Sequence, residues 1–486
     1  MALKRRTTDI NTTSYHLYKG VFRLQELKKK LSDIAEMITS EKSFCKIIIF
    51  IMLALPIAEL FDERHYQTFN SQPTLVEIAG LTAFFCIVVH FLKHKNIQYY
   101  ASDLIYLLLI VFMSLSAAFT LDKEATFLGF YYDEWMTDFV GYFSLMMAGT
   151  MITDKKLKKE IIRAFFIVIF LQTFVAFLQT FGLNIDQCFF DTEDILSRKI
   201  SYGLLQHSNW YGGLSVLMFA CSAGVFLFVE NKLARNSSFV LSLVCFYTLL
   251  CTEARLALVG VFAFFFFLAV SIAVMKLKGY NKEKMNSIIK RACILVASSA
   301  AVAAFTIFVL GRLKWKFEKT ATEVQEFKNG NIGALGTDRA TIWKAGLKTV
   351  PGHWLFGIGL DNYRHAFYMD PDFKKGMLTQ GKAHNEYIHY LVTQGALQLI
   401  NYLSLLVLAA VTAVRTVIHT DDDDERFINW ILLGMFFGYA AQAFFNSSVV
   451  NVAPYFWITI GLCLSKANQR PFGYRKALKK ATAEKK

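Results

Sequence analysis

The sequence predicts an all-α bundle of membrane-spanning helices with one large loop outside the bilayer. Three observations carry that reading. Apolar stretches recur along nearly the whole chain, each long enough to cross roughly 30 Å of hydrocarbon as a helix. Lysine and arginine gather at the two ends and in every second short loop. One segment, from about 312 to 384, is too polar to span.

The apolar stretches fix the element type. Backbone polar groups in lipid must pair within their own segment, so these stretches are helices rather than strands. About twelve spans are expected, near 44–60, 74–92, 101–120, 136–153, 161–182, 209–229, 236–252, 256–275, 292–311, 386–412, 428–446 and 449–465. Length alone would suggest about three soluble domains. A composition of 55% hydrophobic and 19% charged residues overrides it. The expected organisation is a basic segment (1–43), nine spans (44–311), the large loop (312–384), three spans (385–465) and a basic tail (466–486). The first roughly 40 residues are polar and basic, so no cleavable leader is expected.

The formal charge of +14 invites a nucleic-acid reading, but its distribution is that of topology. Basic residues cluster at Lys4–Arg6, Lys28–Lys30, Lys93 and Lys95, Lys155–Lys159, Lys232 and Arg235, Lys276 to Arg291, and Arg475 to Lys486. These belong on the cytoplasmic side, which an even span count allows for both termini. The run Asp421–Asp424 falls on that same side and fits less well. Residues 20–43 read as a basic amphipathic helix on the anionic leaflet surface, or equally as a solvated tail. Of eight cysteines, only Cys188 is expected in an outward loop, so no disulfide framework follows.

A polar loop of this length is often functional. Its second half reads as helical around 337–350, with turns at Pro351–Gly352 and through Gly357 and Gly359. The topology brings four features to this outer face: Arg255 at the mouth of the seventh and eighth spans, Arg339 on the loop, His384 where the loop re-enters the membrane, and Gln206–Trp210 where another loop does. Arginine offers a permanent charge and a planar fork that matches phosphate oxygens in pairs. Two such groups can stabilise the charge that develops as a sugar–phosphate bond breaks. A histidine at the same face can take a proton from a sugar hydroxyl.

Each residue also has a plainer reading. Arg255 can snorkel to headgroups, and Arg339 can pair with Asp338 or cap a helix. His384 can be a helix-entry residue beside Asn385, and His207 can pack at the interface beside Trp210. Tyr131, Tyr132 and Trp135 fit an aromatic belt. Asp191, Glu193 and Asp194 tempt a metal-site reading, but the ligand set is incomplete. No metal site and no cofactor are expected.

The order of these motifs resembles the O-antigen ligase and O-antigen polymerase family. The resemblance covers about 198 to 465. Arg198 to Gly203 followed by His207–Ser208–Asn209–Trp210 is similar to the family's glycine and polar-turn segment, with Ser208 where proline is usual. Thr252–Glu253–Ala254–Arg255 looks like its threonine–x–serine–arginine motif, with Ala254 in the serine position. Arg339, Trp343 and the run Pro351 to Gly359 resemble its arginine–tryptophan helix and glycine turn. Ala383 to Tyr387, then Gln394–Gly395, resembles its histidine segment, and Asn446 to Trp457 its last outer turn and final span.

The resemblance implies a GT-C-like bundle in the bacterial inner membrane with its active site facing the periplasm or exterior. It implies metal-independent, inverting transfer of a glycan from undecaprenyl diphosphate to a hydroxyl of another glycan or of lipid A–core. Membrane lipids are expected partners, and nucleic acid is not. Arg255, Arg339 and His384 are the expected catalytic residues. Arg255 and Arg339 are also expected to bind substrate, with His207, Asn209 and Asn385. A twelve-span transporter or lipid-glycan flippase is the alternative, although no matching halves are seen.

Overall fold

A computed structural model describes residues 25–58, 71–93, 98–129, 134–183, 199–205, 207–329, 336, 339–370 and 379–473. The described chain is all helical, without a strand. Its helices are α1 (25–38), α2 (Glu41–Ala58), α3 (Ser71–Lys93), α4 (Ala101–Ala118), α5 (Lys123–Leu128), α6 (Met136–Thr150), α7 (Lys155–Gln179), α8 (Ser208–Phe228) and α9 (Lys232–Cys251). They continue as α10 (Arg255–Leu277), α11 (Lys282–Ala304), α12 (Lys314–Lys328), α13 (Arg339–His353), α14 (His365–Met369), α15 (Glu386–His419), α16 (Asp423–Gln442) and α17 (Ala453–Cys463).

Among the described residues nine helices are long and apolar enough to cross a membrane: α3, α4, α7, α8, α9, α10, α11 with its π-helical extension to Val309, α15, and α16 with its extension to Phe445. The other three expected spans coincide with α2, α6 and α17. α2 is long enough, but Glu41, Lys42 and Lys46 crowd its first turns. α6 and α17, of 15 and 11 residues, rise only about 22 and 17 Å at 1.5 Å per residue. Their side chains are almost wholly buried, so they lie inside the bundle. α8 is its axis, buried on every side, with α9 and α16 packed against it. Helices cross closely where side chains are smallest: a Cβ on Gly80 of α3 would stand 2.2 Å from the Cα of Gly141 on α6.

One end of the bundle is basic and explains the acidic run. Lys155 pairs with Asp422 at 2.6 Å, Lys159 with Asp424 at 2.7 Å, and Lys284 with Asp423 at 2.5 Å. Buried Lys158 meets Glu425 at 2.5 Å. The acidic residues are therefore counter-charges for the lysines at that end. α1 carries Leu27, Leu31, Ile34 and Met37 exposed at helical spacing beside Lys28–Lys30, the pattern of a surface-lying amphipathic helix.

The polar segment begins its course at the opposite end. Both halves hold a helix: α13 lies in the half that reads as helical, and α12 in the half for which the sequence reading names no element. α13 also runs through Pro351 to His353, beyond the expected turn. A proline there forfeits a single i→i−4 bond two residues before the helix stops, a smaller loss than mid-helix. α13, α14 and the 354–363 turn close over a second, smaller core of Ile342, Ala345, Ile358, Tyr363, Phe367 and Val392.

That cap is fastened to a break in α15. Gly395 has φ +83° inside the helix, and the 354–359 turn fits into the gap. Ala396 N donates to the Trp354 carbonyl at 2.7 Å, Ile358 N to Val392 at 3.0 Å, and Gly359 N to Thr393 at 2.8 Å. A Cβ on Gly395 would lie 2.3 Å from the Leu355 carbonyl oxygen, and one on Gly357 would lie 2.4 Å from the Thr393 carbonyl carbon. Backbone meets backbone here, so only glycine fits.

Candidate active site

Two of the expected residues start helices at the end of the bundle opposite the lysine cluster, and His384 lies two residues before a third helix. Arg255 opens α10 after a sharp turn in which Glu253 adopts φ +57° and Thr252 Oγ1 accepts from Ala254 N at 3.0 Å. Ala254 packs its small side chain toward Gly212 of α8. Arg339 opens α13, whose place is set by Tyr363 Oη donating to the Ile342 carbonyl at 2.9 Å.

His384 itself has φ +49°, a left-handed conformation that a non-glycine residue adopts only when its neighbours impose it. They do so on both sides. Lys382 is buried and paired with buried Glu134. The Ala383 carbonyl accepts from Trp343 Nε1 at 2.8 Å. Asn385 caps α15, its side-chain oxygen accepting from Ile388 N at 3.0 Å. Trp343 thus ties the helix that carries Arg339 to the residue next to His384.

These groups share one cavity of about 490 Å³, lined by Asn209, Glu253, Arg255, Lys316, Arg339 and His384 among others. Lys319 and Gln380 also reach it, and Phe445 and Val259 supply apolar wall. Four cationic side chains face two carboxylates, Glu253 and Glu323, so the site is electropositive. The Arg255 fork is engaged: Nη1 and Nη2 each donate at 2.8 Å to a different oxygen of Glu323, and Nη1 donates to Thr320 at 2.9 Å. Arg339 makes no ion pair with a described residue. Burial, and then the positive charge of Arg255, hold its pKa below the ordinary guanidinium value. Burial likewise lowers that of Lys316. The donors from Arg255 hold the Glu323 carboxyl below the usual carboxylate range.

Burial pushes the His384 imidazole down to about 4, aided by the charges of Arg339, His207 and Lys382. At neutral pH it is uncharged and able to accept a proton.

The remaining expected residues divide. Asn209 lines the cavity. His207 is exposed at its edge, stacks on Trp210 at 5.0 Å and accepts from Asn209 N at 3.2 Å through Nδ1, which makes it the cap of α8. Asn385 is buried as a cap and is not among the cavity-lining residues. Gln206, Asp338, Cys188, Asp191, Glu193 and Asp194 lie outside the described residues. Sequence reasoning misses Lys316, Lys319 and Glu323, all on α12. It also gives Glu253 no role, although its place two residues before Arg255 is a usable signal.

Fold and site together define a multi-pass membrane protein with a cationic cavity at one end of its helical bundle. Residues 239–403 match the family model for O-antigen ligase. The match supports the O-antigen ligase/polymerase family for this chain, and the matched stretch contains Arg255, Arg339 and His384. A search of curated proteins finds no match.

Proposed function

We propose that the chain is a glycosyltransferase that moves a glycan from undecaprenyl diphosphate to a hydroxyl of another glycan or of lipid A–core. The observation that supports it most is the convergence of Arg255, Arg339 and His384 on one cavity from three remote parts of the chain. The two guanidinium groups hold the diphosphate and take up charge as the sugar–oxygen bond breaks. Lys316 and Lys319 add to that charge, which supports catalysis without a metal. Neutral His384 accepts the proton of the attacking hydroxyl, and attack opposite the leaving diphosphate inverts the anomeric centre. By the positive-inside rule the lysine-rich end is cytoplasmic, and the cavity then opens toward the periplasm or exterior.

The test is purified protein with a synthetic undecaprenyl-diphosphate oligosaccharide and an acceptor glycan in EDTA. New glycosidic product is expected, with a loss of about 10²- to 10⁴-fold in His384→Ala, the usual size of a general-base contribution. Normal turnover in that variant removes the base. Lipid movement across vesicles without a new glycosidic bond favours a flippase.

A further inference from the structure

We propose that Glu323 is a latch that occupies the place of a donor phosphate on Arg255 and is displaced when the donor enters. This rests on the donor-site reading above. A bidentate carboxylate is the nearest protein mimic of a phosphate on an arginine fork, and both Arg255–Glu323 contacts are 2.8 Å. Thr320, one turn earlier, accepts from the same guanidinium at 2.9 Å, so α12 holds Arg255 at two points.

The way α12 is attached makes it displaceable. Among its described side chains Glu323 is the buried one, at 7% exposure, whereas Trp315, Val324 and Phe327 are exposed. Its further described fastenings are also polar: Glu323 accepts from the backbone of Gly336, and Trp315 Nε1 donates to Glu253 at 2.8 Å. Held by hydrogen bonds to charged groups, with no described apolar side chain of its own in a core, the helix yields to whatever competes for those groups. Its approach supplies a pivot: the π-helical turn Phe305–Val309 leads through Gly311 at φ +67° to Leu313, which is buried in the core and holds the start of α12 while the rest of the helix can swing. Displacement opens the face of Arg255 that Glu323 occupies to the incoming diphosphate, whereas the seated latch keeps that face paired while the site is empty, limiting capture of stray anions.

The test measures binding of inorganic pyrophosphate to the full-length protein in detergent, comparing wild type, Glu323→Gln and Arg255→Gln. Glu323→Gln is expected to bind about tenfold more tightly, the factor gained when a competent state goes from one-tenth to full population. Arg255→Gln is expected to weaken binding. Unchanged or weaker binding in Glu323→Gln, alongside loss in Arg255→Gln, overturns the latch and leaves the donor site standing. Unchanged binding in Arg255→Gln overturns the donor-site reading and the latch with it. Hydrogen exchange on the wild type needs no variant to fold: saturating pyrophosphate is expected to speed exchange across residues 314–328. Unchanged or slower exchange there overturns the latch.

Discussion

Lys382 and Glu134 form an ion pair with both side chains out of solvent, two residues before His384. Glu134 also accepts from Tyr142 Oη at 2.7 Å, so the pair ties the loop entering α15 to α6. Removing one partner leaves a charge buried alone, which costs more than the pair itself contributes. Glu134→Ala is therefore expected to lower stability by about 3–5 kcal/mol. Thermal unfolding in detergent checks this. Adding Lys382→Met should recover part of the loss, and a double variant no better than the single would contradict the account.

Trp343 connects the two halves of the site through its hydrogen bond to the Ala383 carbonyl. Trp343→Phe keeps most of the ring and removes that bond. A neutral hydrogen bond is worth about 1 kcal/mol, so the protein should still fold. Misplacing His384 against Arg339 by a fraction of an ångström should cost more in turnover, about tenfold in kcat. Initial rates at saturating donor decide it, and a change confined to KM would count against the positioning role.

Gly395→Ala should be severe. The new methyl would meet the Leu355 carbonyl at 2.3 Å, and the position needs a positive φ. Clash and backbone strain together are expected to cost about 3 kcal/mol or more. Gly352, where an added methyl would meet nothing within 4 Å, is the control. Gly352→Ala, near the end of α13, should leave the melting temperature within about 2 °C. Equal melting temperatures for the two variants would remove the backbone seat from the fold.

The pH profile follows from His384. Its pKa is lowered from the usual 6.5 to about 4, so the neutral base is present across the neutral range. The acid limb of kcat/KM, which reports the free protein, should fall near pH 4 to 5 rather than 6.5. Bound diphosphate favours the imidazolium, so the limb of kcat should lie higher. Arg339→Gln removes a positive neighbour and should raise the kcat/KM limb, though only in part because burial is the larger cause. For stability the sign is fixed. The unfolded chain binds more protons between about pH 4 and 6.5, so this group's contribution is present above pH 6.5 and is lost as pH falls. Equilibrium unfolding at pH 7 and pH 5 for wild type and His384→Gln checks it: the variant should lose less on acidification.

Much of the fold is legible in one dimension. Apolar runs place helices because lipid offers the backbone no other partner, and among the described residues nine such runs are helices of spanning length. α6 and α17 coincide with two further apolar runs but are shorter, at 15 and 11 residues, since composition does not mark where a helix ends inside an apolar run. Arg255, Arg339 and His384 stand out because charge beside a membrane helix is conspicuous. Glu323 does not, since a carboxylate on a polar helix looks like any solvated residue until its partner, 68 positions away, is known.

The sequence by itself determined the helical membrane class, the lysine-rich end and the charged residues beside the outer loop, because those depend on composition, period and charge along the chain. Only the tertiary structure decided that a broken helix seats a glycine turn, that Trp343 sets Arg339 beside His384, and that Arg255 is held by Glu323. Those are contacts between remote segments, and a side chain's local sequence does not encode the group that will compete for its hydrogen bonds.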